Sequence, residues 1–232
     1  MNEIVLHFKD CLIPEISEKT IEIDLRTGEK VMIVFPGDYS RDAFLDLIYG
    51  FKKPDQGDVL LNGKLYDYNE EKLKEMRRRI ALVSIENNLI SNLTVYENII
   101  LPLLGNKQLM HSDIDNLIKE NSEKLDITRL WDQMPHNLSD LDKVKIDITR
   151  GLCQNAEIYI FNNLYERLSE KKSRLFFQEI NKDLPLTISL SKSERGLEFC
   201  GRLIILDEEG VIYNGSTSKF GRRSKKDESA KE

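Results

Sequence analysis

The residues from Val31 to Gly63 constrain the fold more than any other part of the chain. Val31 to Phe35 is an unbroken apolar run, which is typical of a strand buried on both faces of a sheet. A tight turn is predicted from Pro36 to Arg41, and a helix with one apolar face from Ala43 to Tyr49. After a glycine-containing turn, Val59 to Leu61 predicts another strand. This alternation of strand and helix predicts an α/β fold.

A strand, a loop and a helix in that order are also the arrangement of a phosphate-binding P-loop, but the residues depart from that motif. The motif has Gly at its first and sixth positions, then Lys, then Ser or Thr, and these four positions hold Phe35, Ser40, Arg41 and Asp42. Side chains therefore replace the two glycines that let the backbone approach phosphate. Asp38 and Asp42 add carboxylates, which repel a triphosphate. The candidate nucleotide-binding residues of this degenerate loop are Pro36, Gly37, Asp38, Tyr39, Ser40, Arg41, Asp42 and Ala43.

Outside this stretch, apolar residues alternate or recur at spacings that are typical of further strands and helices. Strands are predicted at residues 3–8, 20–25, 81–84, 157–163, 186–191 and 202–207, and helices at 69–80, 111–125, 138–152, 170–181 and 194–200. Asn92 or Thr94 is predicted to cap a further helix that ends near Pro102, and Ser139 is predicted to cap the helix at 138–152. Residues 216–232 are polar and are predicted to be a disordered tail.

Composition disfavours several classes of protein. The net charge of -6 argues against a general nucleic-acid binder, which usually has a basic face. No apolar run reaches the roughly 18 residues needed to span a membrane, and the N-terminal segment lacks the features of a signal peptide. The cysteines and histidines show no metal-ligand spacing, so no metal site is predicted, and the cysteines are expected to be reduced and buried. These residues are Cys11, Cys153, Cys200, His7, His111 and His136.

Five segments, in order and with similar separations, resemble an ATP-binding-cassette (ABC) ATPase subunit along residues 3–215. They are GFKKPDQGDVLLNGK, NLISNLTVYENIILPL, MPHNLSDLDKVKIDITRGL, IYIFNN and RLIILDEEGVIYNG. The patterns MPxxLS and SNLTVYENIILPL look closest to bacterial lipid-trafficking subunits, such as those of the Mla-type phospholipid transporter. The resemblance implies an α/β, ABC-type P-loop NTPase fold over residues 1–215, with a mixed-sheet core and a helical subdomain inserted at roughly 86–155.

The positions that the resemblance assigns to catalysis are also changed. Asn162 and Asn163 stand in place of the Asp-Glu pair that ends the family's Walker B strand. An amide cannot act as a general base and brings no charge to magnesium. Ile85 stands in place of a glutamine, and Lys192 or Ser193 in place of a histidine. No catalytic residue is therefore predicted, and ATP hydrolysis is not expected.

The signature motif, LSGGQ in the family, reads LSDLD in this chain and consists of Leu138, Ser139, Asp140, Leu141 and Asp142. In the family, its glycine amides bind the γ-phosphate that the opposite subunit holds. Asp140 and Asp142 suit the positive end of a helix dipole, but they would repel that phosphate. In the family, the P-loop of one subunit and the signature of the other form one nucleotide site. Both of these parts are altered in this chain, so a homodimer and a pair with a second ABC ATPase subunit are both left open.

The resemblance and the lost motifs together predict a degenerate, non-hydrolysing subunit. It would lie in the cytoplasm, peripherally on the inner face of the cell membrane, and dock on an integral membrane permease of lipid transport through a groove near residues 85–102. No cofactor is expected, although weak binding of ATP with magnesium is left open because Asp42 can ligate the metal. Two alternatives remain: a divergent but active or nucleotide-sensing ABC ATPase that energises transport, and a soluble scaffold or regulator.

Two aromatic residues have alternative roles in this interpretation. Phe8 lies near the place of the family's adenine-stacking aromatic, but a position in the core is favoured. Trp131 is either a contact for a partner or an anchor of the helical subdomain, and the anchor is favoured.

Overall fold

The computed structural model describes residues 3–85, 89–104, 111–167, 176, 179–180 and 182–220. The strands are β1 (Ile4–Leu12), β2 (Ile21–Arg26), β3 (Lys30–Val34), β4 (Gln56–Leu61), β5 (Lys64–Leu65), β6 (Ile80–Val83), β7 (Ile158–Asn162), β8 (Leu186–Ser191), β9 (Arg202–Asp207) and β10 (Gly210–Ser216). The α-helices are α1 (Asp38–Ile48), α2 (Glu70–Arg77), α3 (Val95–Ile100), α4 (His111–Lys124), α5 (Asp140–Cys153) and α6 (Leu164–Arg167). Short 3-10 turns lie at Leu101–Leu103, Thr128–Leu130, Pro135–Asn137 and Leu197–Phe199.

The strands form two sheets. The larger sheet has the order β10-β9-β3-β8-β7-β6, in which only β10 runs antiparallel to its neighbour among the described strands. The smaller sheet is antiparallel and has the order β2-β1-β4-β5. Strands β3, β7 and β8 are almost wholly buried, as expected for parallel strands that are covered on both faces. The predicted α/β fold with a mixed-sheet core is confirmed.

Two hydrophobic clusters fill the space on either side of the larger sheet. One joins the sheet to α1 and to the smaller sheet, and includes Phe44. The other joins the opposite face to α3, α4 and α5. Alternate residues of β7 belong to different clusters: Ile158 and Ile160 to the first, Tyr159 and Phe161 to the second. The larger sheet is therefore the central layer of the molecule.

The helices α3, α4 and α5 lie between β6 and β7 in the chain, and α3 and α5 begin at capped positions. Thr94 Oγ1 accepts a hydrogen bond from Glu97 N at 3.2 Å, and the Glu97 carboxylate accepts one from Thr94 N at 2.8 Å. Ser139 Oγ accepts a hydrogen bond from Asp142 N at 3.2 Å. The predicted caps Thr94 and Ser139 are confirmed, because each side chain satisfies a first-turn amide that has no partner within the helix.

Of the two aromatic residues with alternative roles, Phe8 lies in the core and Trp131 is half-buried against the helical insertion. Phe8 is fully buried, with its ring centroid 4.7 Å from that of Phe44. Trp131 Nε1 donates to Ser122 Oγ at 3.1 Å, and its ring centroid lies 5.4 Å from that of Tyr96. The core position of Phe8 is confirmed. The contacts of Trp131 agree with an anchor of the helical subdomain, and its role toward a partner stays untested.

Helix α1 begins at Asp38, whereas a turn was predicted as far as Arg41 and a helix only from Ala43. Gly37 is the N-cap, and no glycine follows it before Gly50. Without a glycine at the sixth position of the loop, nothing favours an open, non-helical backbone there. The carboxylate of Asp38 in the first turn also complements the helix dipole. The predicted degenerate P-loop, residues 36–43, is therefore mostly helical.

Other boundaries also differ from the predictions. Strand β4 begins at Gln56 rather than Val59, because this residue still pairs with β1. The predicted helix at 194–200 is a 3-10 turn at Leu197–Phe199. Ser216 belongs to β10 and residues 217–220 form a helical turn, so the predicted tail is structured at its start. Residues 221–232 lie outside the described residues.

Most of the predicted helix at 170–181 also lies outside the described residues. Within the part of the chain that the structure describes, no helix combines the length and the apolar character that a membrane span requires.

Candidate functional site

The candidate nucleotide site lies where three parallel strands end side by side. Residues 36–43 follow β3, Lys192 follows β8, and Asn162 ends β7. Phe35 N donates to Ser191 O at 3.0 Å, which joins the first two strand ends. Ligands of open parallel sheets bind at this carboxyl edge. The fold therefore brings the predicted loop and the predicted Walker B residues to one edge of the sheet.

Four charged side chains at this edge neutralise one another. Arg41 Nη1 lies 2.6 Å from Asp38 Oδ1, and Arg41 Nη2 donates to Asp42 Oδ1 at 2.8 Å. Lys192 Nζ donates to Asp38 Oδ2 at 2.8 Å. Arg41 is 9% exposed, so its guanidinium is held inside this cluster rather than in solvent. The cation that takes the place of the P-loop lysine is therefore already paired with two carboxylates.

The Asp38 carboxylate is the centre of this arrangement. The hydrogen bond from Lys192 is the main cause that lowers the pKa of Asp38 below its ordinary value of 3.8, and the charge of Arg41 acts in the same direction. Asp38 is consequently ionised at neutral pH, although its side chain is about half exposed. An anion is already present between the two cations without any bound ligand.

The remaining loop residues have structural or solvent-exposed positions. Tyr39 is 73% exposed, and Pro36 is also exposed. Ser40 is half-buried at the first turn of α1, and Ala43 is buried against the core. None of these side chains is placed as a hydrogen-bond donor toward the charged cluster among the described contacts.

Phe35, at the first glycine position of the motif, is a core residue. It is 1% exposed, and its ring centroid lies 5.3 Å from that of Phe44. Phe44 in turn packs against Phe8. The side chain that replaces glycine thus forms part of an aromatic cluster beneath α1.

The Walker B positions offer neutral amides. Asn162 ends β7, and Asn163 follows it with a positive φ of 53°, a backbone conformation that asparagine tolerates better than most residues. The side-chain oxygens of Asn162 and Asn163 are buried and have no hydrogen-bond partner among the residues that the structure describes. Ile85 is buried in the cluster that includes α3 and α5. These three residues provide no charge for a metal and no base.

Magnesium-ATP does not fit these residues as the structure arranges them. The first turn of α1 is already wound where an open loop would wrap phosphate, and Arg41 N donates to Gly37 O at 3.3 Å. The Arg41 guanidinium is engaged by two carboxylates, and the end of β7 carries no acidic group. A phosphate would have to displace Asp38 to reach either cation.

The signature residues form a separate, acidic helix start. Leu138 is buried, Leu141 is half-buried, and Ser139 caps α5. Asp140 lies 3.9 Å from Lys143, and Asp142 lies 3.5 Å from Arg129. Among the described residues, no hydrogen bond or ion pair links this segment to residues 36–43 within the chain. The carboxylates thus have local roles in the helix start, where they complement its dipole.

A groove of about 460 Å³ lies on another side of the molecule, between α1, α2 and the helical insertion. Its wall includes Tyr49, Leu101 and Arg150. Beneath it, the buried Asp147 accepts hydrogen bonds from Ser84 N at 3.1 Å and from Arg150 at 2.8 Å. The Asp147 carboxylate therefore links α5 to Ser84, which lies between the end of β6 and Ile85. Asn98, Leu101 and Pro102 of the groove wall fall within residues 85–102, where a docking groove was predicted. Docking at this surface stays a prediction.

Sequence reasoning missed several of these residues. The sequence identified Lys192 only as one of two residues that could stand in place of the family's histidine. In the structure it pairs with Asp38, which lies 154 residues away in the chain. Glu166, just after β7, accepts a hydrogen bond from Ser193 Oγ at 2.5 Å, and no motif singled it out. The acidic residue Asp147 was also missed, although its place on the buried stripe of a helix was a usable signal.

One group outside the predicted site has metal-ligand chemistry. His7 Nε2 lies 2.7 Å from Glu22 Oε1 and 3.5 Å from Asp24 Oδ1, on the outer face of β1 and β2. The same side chains also make protein contacts: Glu22 accepts a hydrogen bond from Asp10 N, and Asp24 pairs with Arg26. These contacts explain the cluster as cross-strand pairing. The prediction that the chain holds no metal stays a prediction.

A protein-family model described as ABC transporter matches residues 19–163, which is more than half of the chain. The chain belongs to the ABC transporter family. It is similar to the methionine import ATP-binding protein MetN of Haemophilus ducreyi, with 31% identity over 176 residues that cover 73% of this chain and 51% of the relative. It is also similar to MetN of Clostridioides difficile, with 24% identity over 216 residues that cover 90% of this chain and 66% of the relative.

This ABC chain thus spans about half to two thirds of the length of these curated relatives. Their names refer to methionine import, so the closer likeness to lipid-trafficking subunits is not supported by them.

Solved structures show the same fold at low sequence identity. The structure of cbiO1 from Clostridium perfringens, described as part of the ABC transporter complex cbiONQ, has a TM-score of 0.84 and 20% identity, and covers 96% of this chain and 92% of that one. A dimeric post-hydrolysis structure of the ATP-binding cassette MJ0796, bound to ADP and Pi, has a TM-score of 0.76 and 22% identity, and covers 91% of this chain and 98% of that one. These likenesses establish the ABC ATPase fold of this chain.

Proposed function

We propose that this chain is a non-hydrolysing ABC subunit that docks on an integral membrane permease at the inner face of the cell membrane. One observation carries the proposal: Arg41, which replaces the P-loop lysine, is paired with Asp38 and Asp42. The amides of Asn162 and Asn163 support it, because neither can act as a general base. The role of the chain would then be structural or regulatory within a transporter.

The groove supports the docking part of the proposal. Exposed apolar side chains line it at Phe51 (67% exposed) and Leu101 (43%), and Leu104 (58% exposed) follows Leu101 three residues later in the chain. Exposed apolar residues that cluster beside a concave surface are typical of an interaction site. An apolar-faced helix is the kind of segment that such a groove accepts.

The charges of the groove define the partner further. Arg77 and Arg150 line it, and each is paired with a carboxylate, Glu70 at 3.2 Å and Asp147 at 2.8 Å. Asp46 also lines the groove and makes no ion pair with any other residue that the structure describes. The uncompensated charge is therefore negative. A permease segment with an apolar face and one basic residue opposite Asp46 is the partner we expect.

The cargo is the least constrained part of the proposal. Lipid is the cargo predicted from the sequence patterns at residues 91–103 and 134–139, whereas the similar curated proteins are methionine importers. Transport assays with the native partner permease should therefore include a phospholipid and methionine.

A divergent ABC ATPase is the second candidate, and one observation favours it. Glu166 lies three residues after Asn163 and is half-buried, with its carboxylate held by Ser193. It is the carboxylate that could replace the missing general base. The third candidate is a soluble scaffold or regulator, which needs no permease.

Phosphate release from ATP separates the first two candidates. The native protein and Glu166→Gln are assayed with magnesium, with and without membranes of the source cells. We expect both proteins to show only the background rate. Turnover by the native protein that Glu166→Gln abolishes would establish the divergent ATPase and contradict a non-hydrolysing subunit.

Extraction of membranes in mild detergent tests docking. We expect the native protein to co-purify with a permease, and Leu101→Asp to lose it because a carboxylate enters the apolar groove. Leu65→Asp is the matched control, since Leu65 is 61% exposed on β5 and lies outside the groove. A native protein that remains alone as a stable homodimer would favour the scaffold.

A further inference from the structure

We infer that the carboxylate of Asp38 is an internal anion that occupies a phosphate-binding site formed by Arg41 and Lys192. This inference rests on the proposed function and deepens it, because it names what fills the degenerate site. The ligand class of the emptied site is inorganic phosphate or the phosphates of a nucleotide.

The two oxygens of Asp38 contact different cations on different segments. Oδ1 lies 2.6 Å from Nη1 of Arg41 on α1, and Oδ2 accepts a hydrogen bond of 2.8 Å from Nζ of Lys192, which follows β8. A tetrahedral phosphate bridges two cations in the same way, with one oxygen for each. The carboxylate therefore makes the contacts that a bound phosphate would make.

The surroundings of this carboxylate also suit an anion. Asp38 is the first residue of α1, where the helix dipole is positive and the first amides have no partner within the helix. Gly37, the N-cap, has no side chain with which to cap them, and no described residue beyond its chain neighbours has an atom within 4 Å of the place where its Cβ would be. The space beside the N-cap is therefore open.

Charge balance explains why such a ligand is excluded in the native chain. Arg41 and Lys192 carry two positive charges, and Asp38 and Asp42 carry two negative charges, so the cluster is neutral. Phosphate would have to compete with a carboxylate that is tethered in place. Neutralising Asp38 leaves one net positive charge, releases Lys192, and leaves Arg41 paired only with Asp42.

The test uses inorganic phosphate as the probe and calorimetry on the full chain. We expect the native protein to show no binding heat at millimolar phosphate. Asp38→Asn and Asp38→Ser should both bind phosphate measurably, at least about tenfold more tightly than the limit set for the native protein. Asp38→Glu keeps the anion and should show no gain. The double variant Asp38→Asn with Lys192→Ala should lose the gain, because one of the two cations is gone.

Asp46→Asn is the matched control, since it removes the same charge from an exposed residue of the same helix. An equal gain in Asp46→Asn, or no gain in either neutral variant of Asp38, would overturn the inference. Melting curves verify that each variant is folded, which is expected because the Asp38 side chain is 55% exposed. If the native protein lacks ATPase activity and Asp38→Asn gains no phosphate binding, the proposed function stands and only the internal anion is rejected.

Discussion

A glycine at the first position of the degenerate loop should lower the stability of the protein and should not restore a nucleotide-binding site. Phe35→Gly removes a side chain that is 1% exposed and packs at 5.3 Å, ring centroid to ring centroid, against Phe44. Replacing a buried phenylalanine by alanine costs about 3–5 kcal/mol, and glycine adds about 0.5–1 kcal/mol of backbone entropy. We therefore expect the free energy of unfolding to fall by about 4–6 kcal/mol, a large part of the roughly 5–15 kcal/mol typical of proteins.

Urea denaturation followed by circular dichroism measures this loss. With a slope of about 2–3 kcal/mol per molar urea, the midpoint of Phe35→Gly should lie about 2 M below that of the native protein. Tyr39→Gly is the matched control, because Tyr39 is an aromatic residue of the same segment that is 73% exposed. Its expected loss is below about 1 kcal/mol.

The reasoning would be refuted by a midpoint of Phe35→Gly that is equal to that of Tyr39→Gly. Such a result would mean that Phe35 does not belong to the core and that the loop retains the freedom to open around a ligand.

Three further predictions concern stability. Gly151→Ala should lose about 1–3 kcal/mol despite better helix propensity, because its Cβ would lie 2.7 Å from Tyr159 Cε1; urea midpoints measure this. Asp147→Ala should lose about 2–4 kcal/mol in the same assay, since it removes the carboxylate that accepts hydrogen bonds from the Ser84 amide and from Arg150. The Asp38 carboxylate, whose native pKa is lowered by its cations, should stabilise the fold above its ordinary pKa of 3.8. The stability difference between native protein and Asp38→Asn should then vanish as pH falls through the native pKa.

A Gly151→Ala variant as stable as the native protein would contradict the close packing of α5 on β6 and β7. Asp147→Asn is the control for Asp147→Ala, because it keeps the shape and an acceptor oxygen and should lose less. A stability difference at Asp38 that is unchanged in acid would show that its charge does not contribute.

The sequence predicted the sheet well because local patterns specify it. The run IYIFN predicts β7 without reference to any other segment, and Thr94 and Ser139 are recognisable caps from the residues that follow them. The order of such segments was sufficient to predict the ABC-type fold. These features depend on neighbours within a few positions in the chain.

The chemistry of the candidate site was less predictable because it depends on distant residues. Asp38 and Arg41 were recognised as departures from a motif, but their mutual pairing and the contribution of Lys192 follow from the fold. The early start of α1 was missed because a turn was predicted from the expected motif rather than from the residues present. Phe35 was treated as an obstacle to phosphate, whereas its burial shows that it is a core residue.

Titration of ATP with magnesium into the native full chain tests the central claim most directly. The claim is that the site which would hold nucleotide in this ABC fold is filled by the chain's own side chains. We predict no binding heat up to about 1 mM ATP, which corresponds to a binding free energy weaker than about 4 kcal/mol. A dissociation constant in the micromolar range would contradict the claim and identify the chain as a nucleotide-responsive subunit.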